Sequence, residues 1–458
     1  METHGSINFS VLGGGGEVGA NCFQLSFNGH RILLDCGTHP KKDGLDCLPA
    51  FDLLSRPPDA YFISHGHVDH CGAIPYLCKQ FPNTRGFATI PSTRIVDRML
   101  HNSAVVMEML AKERGIADYP LYDHYDVGYA MRFLEGRPFG EPFSFCDTLD
   151  ARAEFIHAGH VLGSASILLH LPGHTILYTG DISRTRQYLM GGCKKFPKKL
   201  HVDTLITEST LGATDNDGNG SYHAEVEQFA AAIRRVLHRG GSALVPSFAL
   251  GRTQEIANIV AHLQETGELP FTPIYTVGLG RAVYEIYDRF TEYLHPSATL
   301  RPLSRFERLG NVWDPSVVQN LLRTPSVIIA TSGMMTENTP SAMLAQTMVK
   351  SSHHGIFFVG YLDPDTLGYR LLHAAPGDKL QFELGAPAVT VALEDIAQYR
   401  FSAHASRSDL AAIIERIRPK NIIYVHGDED ALAWMAANTG NGAETFVPAI
   451  GQTITIET

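Results

Sequence analysis

His65-Gly66-His67-Val68-Asp69-His70 is the stretch on which the reading of this chain turns. Four potential metal ligands fall within six residues, directly after the apolar run Ala60-Tyr61-Phe62-Ile63. That run predicts a buried strand. On an extended stretch alternate side chains share a side, so His65 and His67 face the same way. A turn then swings Asp69 and His70 round to a second position, and Cys71-Gly72-Ala73 leads on into a helix. Imidazole and carboxylate suit zinc, and such a cluster can serve two neighbouring metals. The bland alternative is a chance cluster in a chain with 22 histidines. The strand, the aspartate and the turn weigh against it.

Six residues cannot close two metal sites, so further ligands are expected elsewhere. His160 stands in the Gly-rich turn after His157-Ala158-Gly159. Asp181 follows the strand Thr175-Ile176-Leu177, and His426 ends the strand that begins at Asn421. A single histidine after a strand is more often hydrogen-bonded structure than ligand. Together these residues repeat one geometry, polar groups at strand ends, where open α/β sheets carry their sites.

This set of motifs closely resembles the metallo-β-lactamase fold superfamily, and within it the nucleic-acid-processing β-CASP nucleases. That branch carries an acidic residue after a strand, here Thr204-Leu-Ile-Thr-Glu208-Ser-Thr, and a histidine, here in Phe401-Ser402-Ala403-His404. Its inserted domain carries stretches like Pro246-Ser-Phe-Ala-Leu-Gly-Arg252-Thr-Gln254-Glu255, Ile328-Ile-Ala-Thr-Ser332-Gly333-Met334, and Gly360-Tyr361 followed by Thr366-Leu367-Gly368. The resemblance runs from Leu12-Gly13-Gly14 to His426. Within that branch it resembles bacterial and archaeal RNA-cleaving relatives of the cleavage and polyadenylation endonuclease, with no RNA-binding KH domain expected.

The resemblance implies an α/β fold, a metallo-β-lactamase αββα sandwich with an inserted doubly wound α/β (β-CASP) domain. It also implies two zinc ions. One would be held by His65, His67 and His160, the other by Asp69, His70 and His426, with Asp181 bridging both. Asp35, in Leu33-Leu34-Asp35-Cys36-Gly37, matches the carboxylate that orients ligand histidines in this superfamily; such partners fix tautomer and ring direction. Two zinc ions about 3.5–4 Å apart can bind a phosphodiester and lower the pKa of a shared water to near 7. His404 is the candidate general acid, with Glu208 orienting it and favouring its protonated form. Asp69, His404, Glu208 and Asp35 are therefore the candidate catalytic residues.

The chain departs from the family pattern in places. Ser406 stands where Asp is usual; with Asp409 three residues on, it predicts a helix N-cap and a capping box. Glu337-Asn338 replaces a glycine pair that lets backbone approach a phosphate, which tilts the reading toward endonuclease over 5′-exonuclease. Asp365 stands where Gly is common, Tyr369 where a basic residue is frequent, and Val277-Gly278-Leu279-Gly280-Arg281 differs from the usual Asp-Ser-Pro type segment. Candidate substrate contacts are Arg252, Ser332 and Gly333, with the basic run Lys194, Lys195, Lys198 and Lys199 as a phosphate-tracking patch.

With 458 residues, 44% hydrophobic and 19% charged, the chain is an ordinary globular sequence too long for one typical core. Its net charge of −11 does not announce a nucleic-acid binder, yet the field in the cleft matters more than the sum. Seven scattered cysteines without a C-x-x-C pair predict reduced thiols. No signal peptide or membrane span is expected, and the expected location is the cytoplasm.

The predicted organisation is one domain interrupted by another. Residues 1–209 form its first part, 210–382 an inserted domain and 383–458 its final part. The insertion follows the polar stretch Ala213–Ser221 and alternates helical stripes with the short strands Ala243-Leu-Val, Ile274-Tyr-Thr-Val, Val327-Ile-Ile-Ala and Ile356-Phe-Phe-Val. That alternation predicts a parallel, doubly wound sheet. The expected function is hydrolysis of single-stranded RNA in a cleft between the domains, by a homodimer or within an RNA-processing complex. The alternatives are another metallohydrolase, acting on DNA ends or a small ester or thioester, and a catalytically idle RNA-processing subunit.

Overall fold

In the strand Ala60–Phe62, Tyr61 packs on one side of its sheet while Ala60 and Phe62 pack on the other. The same alternation recurs at Leu33 between Ile32 and Leu34, at Leu177 between Ile176 and Tyr178, and at Ile422–Val425. Strands apolar on both faces must be covered on both faces. A computed structural model of the chain shows how; it describes residues 6–193, 196, 200–214, 221–383 and 385–457. The basic run Lys194, Lys195, Lys198 and Lys199 lies outside the described residues.

Contacts divide the chain into two units, one of Met1–Thr185, Gly192–Gly218 and Ala403–Thr458, the other of Arg186–Gly191 and Asn219–Ser402. In the first unit two seven-stranded sheets face each other. In the first sheet the strands run Thr453–Glu457, Ser6–Gly13, Cys22–Phe27, His30–Leu34, Ala60–Phe62, Arg85–Thr89 and Leu134–Arg137. In the second they run Glu444–Phe446, Asn421–Val425, Thr204–Glu208, His174–Tyr178, Ala165–Leu171, Arg152–His157 and Phe143–Ser144. Between the sheets lies an aromatic-rich core that includes Phe9, Phe23, Phe62, Phe87 and Phe155. Phe62 stacks on Phe87 at 5.5 Å and meets Phe145 edge-on at 5.1 Å. The outer face of the first sheet is covered by the helices Ile74–Gln80, Ile90–Arg114 and His124–Met131, that of the second by Arg407–Ile417 and Glu429–Asn438. This is an αββα sandwich.

The second unit carries a six-stranded, wholly parallel sheet, in the order Glu307–Arg308, Ile274–Val277, Val327–Ala330, Ala243–Pro246, Gly355–Phe358 and Asp395–Gln398. Helices Tyr222–His238 and Arg252–Glu265 pack on one face, Pro340–Met348 and Leu367–Leu372 on the other. The doubly wound insertion read from the alternating segments is present. The grouping differs from the expected return at residue 383. Asp395–Gln398 adds to the second unit's sheet beside Gly355–Phe358, so that unit continues to Ser402. The strand is short and only half-buried, which gives no strong sequence signal. All seven cysteines are free. No helix among the described residues is long and apolar enough to cross a membrane.

Candidate metal centre

The candidate site belongs to the first unit, and its residues leave the ends of neighbouring parallel strands. His30–Leu34 and Ala60–Phe62 pair in parallel, and past their ends come Asp35 and the His65 stretch. In the other sheet His174–Tyr178, Thr204–Glu208 and Asn421–Val425 run parallel, delivering Asp181, Glu208 and His426. His160 lies in the turn between Arg152–His157 and Ala165–Leu171. His67 is the extended N-cap of the short helix Val68–Cys71, and that helical turn redirects Asp69 and His70. Gly37 makes the fold of this stretch possible: a Cβ there would lie 1.7 Å from the Asp69 carbonyl oxygen, a contact no side chain survives. Asp35 and His426 take left-handed backbone at φ 59° and 50°. Non-glycine residues pay for this conformation, and it concentrates at functional sites.

Three groups of potential ligand atoms gather there, each within 4.8 Å: His65, His67, His160 and Asp181; Asp69, His70 and His426; Asp181, Glu208 and His404. In the first, His67 Nδ1 lies 2.9 Å from His65 Nε2 and 3.2 Å from His160 Nε2. Asp181 Oδ2 lies 3.6 Å from the Nε2 atoms of both His65 and His160. In the second, Asp69 Oδ2 lies 3.4 Å from Nε2 of His70 and of His426. Asp181 Oδ1 faces that group, 3.4 Å from His70 Nε2 and 3.3 Å from His426 Nδ1, and has no hydrogen-bond partner although buried.

These spacings fit a metal. Ligand atoms about 2.0–2.1 Å from a tetrahedral zinc stand roughly 3.3 Å apart. Several imidazoles are also held from behind, the arrangement that aims the other nitrogen at a metal. His160 Nδ1 donates to the Ala403 carbonyl at 2.9 Å, His65 Nδ1 contacts the Ser64 hydroxyl at 3.1 Å, and His70 Nδ1 donates to Asp35 Oδ2 at 2.7 Å. Asp35 itself accepts from Ser64 N at 2.7 Å, Ser64 Oγ at 2.8 Å and Tyr178 Oη at 2.6 Å. Asn21 Nδ2 lies 3.2 Å from His70 Nε2.

Burial would lower His70, but Asp181, Asp69 and Asp35 outweigh it and raise its pKa; the shifts of the other residues agree with this arrangement. Burial, joined by neighbouring imidazoles, holds His65 and His160 below the usual histidine range and so in the neutral, ligand form. Burial alone would raise Asp181 and Asp69, but the surrounding histidines outweigh it and hold both carboxyls low. Burial would likewise lower His404; Glu208 and Asp181 outweigh it and push its pKa up to about 9. His404 Nδ1 donates to Glu208 Oε2 at 2.9 Å. Most of the cluster is buried, while Asp69 and His404 keep 21% and 24% of their side-chain surface and His67 is half-buried. Those three mark the face a substrate can reach.

Every metal-ligating and catalytic candidate read from the sequence gathers in this cluster. Of the substrate candidates, the four lysines lie outside the described residues. Arg252, Ser332 and Gly333 belong to the second unit, where Arg252 is 7% exposed, with its Nη1 buried and unpartnered and Glu255 as an electrostatic neighbour. Ser406 caps its helix by accepting from Asp409 N at 3.1 Å. The expected reciprocal half of the capping box is replaced: the Asp409 carboxylate instead pairs with Arg184 at 3.1 Å. Ser64, Tyr178, Thr210 and Asn21 escaped the sequence reading. Ser64 and Thr210 adjoin recognised motifs, but Ser64's partner Asp35 lies 29 positions away and Thr210's partner His426 lies 216 positions away.

Comparison with known families matches residues 15–247 to the metallo-beta-lactamase superfamily, 253–371 to the Beta-Casp domain, and 388–448 to a Zn-dependent metallo-hydrolase RNA specificity domain. The chain is 30% identical to cleavage and polyadenylation specificity factor 73 of Drosophila melanogaster, over 93% of this chain but only 60% of that protein. It is 29% identical to "Probable RNase MJ4" of Methanocaldococcus jannaschii, over 96% of this chain and 98% of that one. A crystal structure of a protein of unknown function from Enterococcus faecalis V583 superposes with a TM-score of 0.60 at 15% identity, covering 99% of this chain and 100% of that chain. That last likeness concerns the fold alone.

Proposed function

Because this chain belongs to the metallo-beta-lactamase superfamily, with a Beta-Casp domain inserted in it, we propose that it is a zinc-dependent ribonuclease cutting single-stranded RNA endonucleolytically. The observation that carries this reading is the third cluster: Asp181, Glu208 and His404 within 4.8 Å, adjoining the two other ligand groups. A site built only to hold metal has no use for an imidazole held by a buried carboxylate at its accessible rim. The matched RNA specificity domain and the archaeal RNase relative favour RNA as substrate. The polyadenylation-factor relative favours action within an RNA-processing complex.

In this reading His65, His67 and His160 hold one zinc, and Asp69, His70 and His426 the other. Asp181 offers one oxygen to each group. The ions, when bound, supply Lewis acidity: a water activated near neutral pH and neutralisation of phosphoryl charge. Asp35 keeps His70 as the Nδ1–H tautomer, leaving Nε2 for the metal. Glu208 accepts from His404 Nδ1, so the ring's Nε2 is the atom that hands a proton to the leaving oxygen. The scissile phosphate approaches from the side of His67, Asp69 and His404.

The test offers zinc-loaded protein linear single-stranded RNAs with different 5′ ends, circular RNA, duplex RNA and DNA. Circular and linear single strands should be cut whatever the 5′ end, and duplex more slowly. Strict dependence on a free 5′ end would overturn the endonuclease assignment. Turnover of DNA ends or a small thioester, with no RNA cut, would overturn the RNA assignment.

A further inference from the structure

The hydroxyl of Thr210 stands 2.5 Å from Glu208 Oε2 and 3.0 Å from His426 Nδ1. A threonine hydroxyl has one hydrogen to give and lone pairs to receive, while a carboxylate oxygen only receives. The hydrogen therefore goes to Glu208, and the oxygen is left to accept from His426 Nδ1–H. Its other available acceptor, the His426 carbonyl, is farther at 3.4 Å. Glu208 Oε2 is also the oxygen that receives His404 Nδ1, and Oε1 receives Ile182 N at 2.6 Å, beside Asp181. One continuous hydrogen-bonded path thus runs His404–Glu208–Thr210–His426, from the rim of the cluster to its interior.

We propose that Thr210 is a positioning residue that couples the two working parts of the site. Toward His426 it fixes the Nδ1–H tautomer, so that Nε2 faces Asp69 (3.4 Å) and the second metal position. Toward Glu208 it holds the carboxylate in the orientation that receives His404. The other group facing His426 Nδ1 is Asp181 Oδ1 at 3.3 Å. When that oxygen serves as a ligand, Thr210 is the remaining acceptor for the Nδ1 proton. The inference rests on the proposed function, in which His426 holds metal and His404 gives a proton.

Two variants test it. Thr210→Val keeps the β-branched shape and removes the hydroxyl; Thr210→Ser keeps the hydroxyl and removes the methyl. For each, zinc affinity is read by competition with a chelator, kcat and KM on single-stranded RNA at saturating zinc, and the melting temperature. Thr210→Val should bind its weaker zinc about 10–100-fold less tightly, the usual cost of losing a ligand's outer partner. Its kcat should fall with KM unchanged, and Thr210→Ser should stay close to the parent in both. Zinc affinity unchanged in Thr210→Val would overturn the proposal. So would a Thr210→Ser defect equal to that of Val alongside a lowered melting temperature, since the residue would then only pack. A parent protein that binds zinc but cuts no RNA, with zinc affinity still lost in Val and kept in Ser, would sink the ribonuclease reading while supporting the coupling.

Discussion

At the scale of single residues, the cluster works by division of labour between the two nitrogens of each ring. The outward nitrogens of His70 and His160 are held by Asp35 and the Ala403 carbonyl, and the inward ones converge. His404 is the exception that suggests chemistry: held by the buried Glu208 carboxylate, it keeps 24% of its own side-chain surface at the accessible edge. His404→Ala should therefore keep the zinc content and lower turnover by roughly 10²–10⁴-fold, with Glu208→Gln losing less in the same direction. If His404→Ala strips a zinc, His404 is a ligand and its assignment as acid fails. The ligand candidates were legible in the sequence because histidine and aspartate recur at strand ends around the His65 stretch, and His404 was legible only through the family resemblance of Phe401-Ser402-Ala403-His404. Tyr178 was not: it alternates inward like any core aromatic, and only the fold brings its hydroxyl to Asp35, 143 positions away. Thr210 was hidden in the same way, its partner His426 being 216 positions on.

At the scale of elements, the strands that carry the ligands are fixed by aromatic packing behind them. Phe62 is fully buried between Phe87 and Phe145, two residues before Ser64. Phe62→Ala should cost about 3–5 kcal/mol of unfolding free energy, read from denaturant curves, and should loosen zinc with it. A loss well under 1 kcal/mol would mean that the core does not support this strand. The last strand of the second unit depends on charge instead. Asp395 pairs with Arg235 at 3.0 Å and with Arg239. Burial alone would raise its pKa, but the two guanidinium groups outweigh it and hold the carboxyl below the usual range. A depressed folded pKa contributes stability above the unfolded value of about 3.9, and this is lost as pH falls through the folded pKa. Asp395→Asn should thus lower stability near neutral pH and converge with the parent under strongly acid conditions; a constant difference across that range would contradict the ion-pair account. The parallel insertion was legible because apolar strands alternate with helical stripes. The return point was not, since Asp395–Gln398 reads as an ordinary polar loop until its neighbour Gly355–Phe358 is seen beside it.

At the scale of the whole molecule, the net charge of −11 argues weakly against a nucleic-acid substrate. The local balance at the candidate site is different: six histidines stand there with Asp69, Asp181 and Glu208, and Asp35 backs His70. Two divalent ions there would offset those carboxylates, and the local field governs the approach of a phosphodiester. Composition could not reveal this, because the sum over the chain hides where charge is placed. The Drosophila relative is the longer protein, with this chain spanning 60% of it, whereas the archaeal relative is matched over 98% of its length. The αββα frame thus gathers the candidate ligands from both of its sheets, where they would hold a metal pair. Elemental analysis of gently purified protein tests that most directly. It should give close to two zinc per chain, falling by at least one in His67→Ala; protein carrying no transition metal, and taking up none on exposure to zinc, would contradict it.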